Sequence, residues 1–135
     1  MATTAQYVAT PKIGNATATT AESSFTAPTN AVTVFTAGAS GSRIDQIHLA
    51  ATGTTIASQC RLYIYNGTTY SFLRDVQISP ITPSNTQPAF NTDFSTQYNP
   101  ELLPIILPTG YSLRVAVSAV QTSGGINVTA CGGDF

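Results

Sequence analysis

Charge is the scarcest property of this 135-residue chain. Charged residues make up 8% of it, against about 25% in typical soluble domains. The five basic side chains are scattered and the formal net charge is −1, so the sequence offers no basic patch of the kind that nucleic-acid binding requires. We therefore expect no nucleic-acid partner. The polar surface must be built from Thr, Ser, Asn and Gln, which suits a protein that works in contact with other proteins.

The residue types that carry catalysis or bind metals are also scarce. The single histidine, His48, has no Cys or His at ligand spacing and no Gly-x-Ser-x-Gly motif to accompany it. The two cysteines, Cys60 and Cys131, match no CxxC pattern, and we expect two buried free thiols, with a disulfide as the alternative. The six acidic residues are scattered and suggest no pair of catalytic carboxylates. The sequence therefore predicts no enzyme, no metal and no cofactor.

Long apolar runs are missing as well. No run approaches the 18 residues of a transmembrane helix, and the beginning "MATTAQYVATPK" has neither the basic start nor the apolar core of a signal peptide. We therefore expect no membrane partner. Because 42% of the residues are nevertheless apolar, the chain is expected to fold as one domain with a core of its own.

What the sequence does contain is apolar alternation with a period of two residues, the pattern of β-strands. No segment sustains a helical period for three turns. Gly and Asn turns separate the alternating segments and favour an all-β fold, an antiparallel β-sandwich of jelly-roll type. The predicted strands are Ala31–Ala37, Ser42–Thr52, Cys60–Tyr65, Tyr70–Ile78, Tyr111–Ala119 and Ile126–Cys131. In Ser42–Thr52 the alternation places Ile47, Leu49 and Ala51 on one face and His48 on the other. In Tyr111–Ala119 it places Leu113, Val115 and Val117 on one side and Arg114 on the other.

Two segments differ from this pattern. Residues 1–28 are rich in Ala and Thr and predict an extended N-terminal arm with one edge strand, which leaves residues 29–135 as the sandwich domain. Six of the eight prolines lie between Pro80 and Pro108, and proline is excluded from central strands. This stretch is expected to be a long crossing connection with one short strand near Phe90–Thr96.

The N-terminal arm, residues 1–28, is long enough when extended to cross onto a neighbouring subunit and become ordered there.

The stretch "YIYNGTTYSF" (Tyr63–Phe72) places four aromatic residues around an Asn-Gly turn signal. A two-residue loop would pair Tyr63 with Tyr70 and would give both Asn66 and Gly67 positive φ. A four-residue loop would pair Tyr63 with Phe72. Both registers predict two apolar faces, one aliphatic and one aromatic, and the aromatic face also needs cover. The alternatives are cover within the chain, another subunit, or use as a sugar-binding platform. The candidate interface residues on this face are Arg61, Tyr63, Tyr65, Tyr70, Phe72 and Arg74, and the predicted face continues to Val76 and Ile78.

Three sequence runs resemble small β-proteins encoded among the virion genes of tailed bacteriophages. The runs are "AVTVFTAGASGSRIDQIHLAATGTT", "CRLYIYNGTTYSFLRDVQI" and "LPTGYSLRVAVSA", which together span roughly residues 31 to 119. The shared features are a Gly-Ser-Arg that enters a strand, an aromatic hairpin, and a late "LPTGYSLR". The resemblance implies a capsid decoration (cement) protein or head-fibre base, a jelly-roll sandwich that trimerises on the shell.

The expectation from the resemblance is a structural virion protein that binds the outer surface of a capsid and stabilises it. Its partners would be the major capsid protein and two further copies of itself, in a homotrimer. It would be made in the host cytoplasm and located on the outer capsid surface. The alternatives are a receptor- or glycan-binding module of a head spike or tail fibre, and a tail-tube or connector component.

Overall fold

The fold is an antiparallel β-sandwich, described here by a computed structural model for residues 8–94 and 103–135. Among these residues no helix is long and apolar enough to cross a membrane. The strands within the described residues are β1 (Thr10–Ala18), β2 (Val32–Thr36), β3 (Ser42–Ala51), β4 (Ser58–Tyr65), β5 (Tyr70–Ile78), β6 (Asn91–Asp93), β7 (Ile105–Leu107), β8 (Ser112–Val117) and β9 (Ile126–Asp134).

The strands form two sheets with jelly-roll topology. Sheet A has the order β1-β9-β3-β6, with β7 also paired to β3, and sheet B has the order β2-β8-β4-β5. The pairs are nested along the chain, because β1 pairs with β9, β2 with β8, β3 with β6 and β7, and β4 with β5. Such nesting places the strands β1 to β4 alternately in sheets A and B, as in a rolled-up pair of Greek keys. The predicted all-β sandwich is confirmed.

The alternation read from the sequence determines which side chains fill the space between the sheets. On β8, Leu113, Val115 and Val117 are buried, while the intervening Arg114 lies on the outer side. On β3, Ile47 and Leu49 point inward and His48 outward, as predicted. Such burial of large aliphatic side chains stabilises each by about 1.5–3 kcal/mol relative to exposure. The core is therefore formed by both sheets in equal measure.

The proline-rich connection contributes two short strands and, among its described residues, three core side chains, Phe90, Phe94 and Leu107. β6 falls inside the predicted Phe90–Thr96 segment, whose last two residues lie outside the described part of the chain. Phe90 and Phe94 fill the core on either side of it. The sequence did not predict β7, because three residues between Pro104 and Pro108 are too few to show a period.

The N-terminal segment belongs to the sandwich of its own chain. β1 pairs with β9 over nine residues and forms the edge of sheet A. A Cβ atom added at Gly14 would be 2.1 Å from the carbonyl oxygen of Val34, so the glycine permits β1 to approach β2 closely. Residues 8–28 therefore pack on the sheets of their own chain, and order of the arm on a neighbouring chain stays a prediction.

The two cysteines lie on different sheets and are free, as expected. Cys60 on β4 is fully buried, and this burial raises the pKa of its thiol to about 12. Cys131 on β9 is only half-buried, which corrects the expectation that both thiols are in the core. It faces outward because its neighbour Ala130 occupies the inward position of β9.

Candidate functional site

The outer side of sheet B holds five of the six candidate interface residues. Arg61, Tyr63 and Tyr65 lie on β4, and Tyr70 and Phe72 lie beside them on β5. The rings form a connected cluster, with centroid distances of 6.0 Å for Tyr63–Tyr70 and for Tyr63–Phe72 and 4.5 Å for Tyr65–Tyr70. The sequence thus correctly predicted an aromatic face on this hairpin.

Arg74 does not belong to this face. The hairpin has the four-residue loop, with Tyr65 opposite Tyr70 and Tyr63 opposite Phe72, but a bulge then makes Leu62 the partner of Arg74. The extra residue, Leu73, reverses the alternation of β5. Val76 and Ile78 therefore enter the core, and the prediction that they and Arg74 continue the aromatic face is wrong.

The connection between β1 and β2, residues 19–31, crosses the outer side of sheet B and is here called the strap. It joins the sheet through a parallel bridge from Ala21 to Val117. The Tyr63 hydroxyl donates to the carbonyl oxygen of Ser24 at 2.7 Å, and Arg61 Nη1 donates to that of Glu22 at 2.6 Å. Intrachain cover, one of the alternatives that the sequence left open, is what buries Arg61 and Tyr63 in the structure.

A buried carboxylate holds the strap in shape. Glu22 is 6% exposed and accepts hydrogen bonds from the backbone N–H groups of Ser24, Thr29 and Asn30, at 3.0, 2.7 and 2.8 Å. The bonds from Ser24 and Asn30 are the main reason that the pKa of Glu22 is lowered, and burial opposes them only in part. Because charge-assisted bonds are stronger than neutral ones, this carboxylate fixes residues 22–30 as one unit.

Arg61 is the cation beneath the strap. Its guanidinium carbon lies 4.2 Å from the centre of the Phe25 ring, within the range of a cation–π contact. Its buried Nε has no hydrogen-bond partner among the described residues. The Phe25 ring is therefore a favourable contact for the buried guanidinium.

Three exposed apolar side chains lie at or beside the edge strand of sheet B, and two of them are in contact. Phe25, Phe72 and Leu73 are 43%, 40% and 38% exposed. The Phe25 and Phe72 rings meet edge to face at 4.9 Å, and Leu73 follows Phe72 at the bulge of β5, an edge strand. We call these three residues the edge patch. Contiguous exposed apolar surface is typical of sites where a protein contacts a partner.

Beyond the strap, the tip of the hairpin carries a second polar and aromatic cluster. Arg114 of β8 lies 4.1 Å from the Tyr65 ring centre and donates from Nη1 to the Tyr70 hydroxyl at 2.8 Å. Arg114 was not predicted to belong to the aromatic face, although its outward position on β8 was correctly predicted. Pairing of β4 with β8, which places Arg114 opposite Tyr63, brings it there.

The single histidine, His48, lies on the outer side of sheet A. Its Nδ1 is 2.6 Å from Asp93 Oδ1, and both side chains are about half exposed. No group of three or more His, Cys, Asp or Glu residues within the described parts of the chain could hold a metal ion. His48 therefore forms an exposed pair with one carboxylate.

Comparison with known proteins identifies no relative of this chain. No family model, curated protein or solved structure matches this chain.

Proposed function

We propose that this chain is a structural virion protein that binds the outer surface of a tailed-phage capsid and stabilises it. The observation that carries the proposal is the edge patch on a jelly roll of very low charge. A neutral sandwich that exposes Phe25 and Phe72 side by side at one sheet edge has the form of a protein that docks by that edge. The resemblance of residues 31 to 119 to small phage virion proteins supports the same function.

The proposed partners are the major capsid protein and further copies of this chain in a homotrimer. The edge patch offers apolar anchors, and the half-buried Tyr65 and Tyr70 beside it offer aromatic contact area. Aromatic residues are enriched at the centres of interfaces, whereas charged residues are depleted there. The 8% charge of the chain is consistent with surfaces that lose contact with water during assembly.

The test is to add purified protein to expanded capsids that lack it, and to measure both its co-sedimentation and the temperature at which the capsids lose their DNA. We expect saturable binding and a higher temperature of DNA loss. Phe25→Ser and Leu73→Ser should each weaken binding about tenfold, since interface anchors contribute about 1–2 kcal/mol or more.

The matched control is Ile13→Ser, which removes a side chain that is 68% exposed on the outer side of sheet A, away from the patch. Loss of capsid binding in Ile13→Ser alone would move the contact surface to sheet A. Failure of the wild-type protein to bind or to stabilise capsids would contradict the proposed function itself.

A further inference from the structure

A groove opens between the strap and the tip of the β4–β5 hairpin. It is lined by Thr26–Thr29 of the strap and Thr68–Tyr70 of the hairpin, and its volume is about 340 Å³. Sites for small ligands span about 300–1,000 Å³, so this groove has the size for one small group. Its two walls come from segments far apart in sequence that the fold brings together.

The backbone donors of both walls are already in use. The N–H groups of Thr26 and Ala27 donate to Ser24 Oγ, and that of Thr29 donates to Glu22 Oε1. On the other wall, the N–H groups of Thr68 and Thr69 both donate to Asn66 Oδ1. Pro28 has no N–H group to offer. An anion in the groove would therefore meet none of the backbone donors that anion sites use.

The groove also has no charged side chain in its lining. The nearby Arg114 donates to the Tyr70 hydroxyl at 2.8 Å and to Ser112 Oγ at 3.2 Å. Its guanidinium also lies over the Tyr65 ring. Since moving an ion into a site without compensating charge is costly, the groove favours an uncharged ligand.

What the groove does offer is hydroxyl groups next to an aromatic ring. Thr26, Thr29 and Thr69 are exposed, and each hydroxyl can both donate and accept a hydrogen bond. The ring of Tyr70 and the side chains of Ala27 and Pro28 supply apolar surface. A sugar ring presents the complementary pattern, because it has a face of C–H groups and a rim of hydroxyls.

The backbone conformation of both walls is also fixed without a ligand. Ser24, Glu22 and Asn66 each hold two or more backbone N–H groups of the lining loops, so their shape does not depend on the ligand. Such preorganisation lowers the entropy lost on binding. We propose that this groove is a binding site for a single neutral sugar residue, a hexose or N-acetylhexosamine at the end of a glycan. This inference does not depend on capsid binding.

The experiment uses the full chain and two kinds of NMR measurement. Saturation-transfer spectra are recorded with the methyl glycosides of glucose, galactose, mannose and N-acetylglucosamine, and with methyl glucuronide and glucose 6-phosphate as charged counterparts. We expect saturation transfer to at least one neutral glycoside and at least tenfold weaker binding of the two charged glucose derivatives. Amide shifts in ¹H–¹⁵N spectra should be confined to residues 24–30 and 66–70.

Variants of the lining residues then test whether the sugar binds in this groove. Thr29→Val combined with Thr69→Val removes two groove hydroxyls and keeps the side-chain shape, so the affinity for the neutral sugar should fall about tenfold or more. The control Thr86→Val changes an exposed threonine in the turn after β5 and should bind as the wild type does. Absence of binding to all four neutral glycosides, equal binding of the charged ones, or unchanged affinity of the double variant would each overturn the proposal. Capsid co-sedimentation of the double variant should remain normal.

Discussion

At the residue scale, the positive φ of Gly67 explains why the hairpin loop needs a glycine at this position. In the four-residue loop Gly67 has φ +97°, while Asn66 has negative φ and accepts from the N–H groups of Thr68 and Thr69 through its side chain. The expectation that Asn66 and Gly67 both have positive φ belonged to the two-residue loop and is wrong. The turn is therefore fixed by one glycine and one side-chain acceptor.

Substitution at Gly67 tests this account of the turn. A Cβ atom at Gly67 would meet only the Gly110 carbonyl oxygen, at 3.6 Å, so the cost of Gly67→Ala is backbone strain of about 1–2 kcal/mol. Gly67→Asn should cost less, because asparagine tolerates positive φ. Urea unfolding measures both. Equal stability of Gly67→Ala and the wild type would contradict the assigned loop.

The two thiols provide a second test at the scale of single residues. Cys60 is fully buried with a pKa raised to about 12, so almost no thiolate is present at pH 8, and the thiolate is the reactive form. Cys131 is half-buried on the outer side of sheet A. We expect one thiol per native chain to react with Ellman's reagent, and two in denaturant. Rapid reaction of both native thiols would contradict the burial of Cys60.

At the scale of elements, the strand pattern was predictable where one side of a strand is apolar. β8 and β3 were predicted with the correct inward residues because their alternation is regular. The bulge at Leu73 could not be predicted, since "SFLRDV" alternates as well with the bulge as without it. One inserted residue therefore moved Arg74, Val76 and Ile78 to the opposite side of β5.

The ordered conformation of the strap could not be predicted from the sequence, for a different reason. Its order depends on contacts from Glu22 to amides up to eight residues ahead and from Arg61 back to the Glu22 carbonyl oxygen. A single Glu in a run rich in Ala, Thr and Ser carries no periodic signal. The turn residues Ser24 and Pro28 indicate only that the chain bends.

The strap makes stability depend on the ionisation of Glu22. Its pKa in the folded state lies below the ordinary value of 4.5, so the carboxylate stabilises the folded state above that pH and the contribution is lost as the pH falls through the lowered pKa. Glu22→Gln should destabilise the protein by about 1–3 kcal/mol at pH 7. Urea unfolding of both proteins at pH 7 and pH 3 gives the comparison.

The free energy of unfolding of the wild type should therefore fall more between these two pH values than that of Glu22→Gln. The comparison between variants is needed because the pKa of Asp134 is also lowered, chiefly by the Ser42 hydroxyl. That carboxylate is common to both proteins, so its effect cancels in the difference. Parallel pH profiles for the two proteins would show that Glu22 does not hold the strap as a carboxylate.

At the scale of the whole molecule, composition and topology support the same proposal. A jelly roll of 8% charge, with an apolar patch on one sheet edge, is consistent with a protein that functions in an assembly. The sequence predicted the sandwich and the aromatic hairpin, but not which aromatic residues remain exposed. The strap determines this, because it buries Tyr63 and leaves Phe72 outside.

The most direct test of the capsid-binding proposal is the number of copies of this chain in purified virions, measured by quantitative mass spectrometry against the major capsid protein. A protein that covers the capsid surface must be present in hundreds of copies per particle. It should also remain bound when the tails are removed. A count of only a few copies, or loss of the protein together with the tails, would contradict the proposal and favour a fibre or spike component.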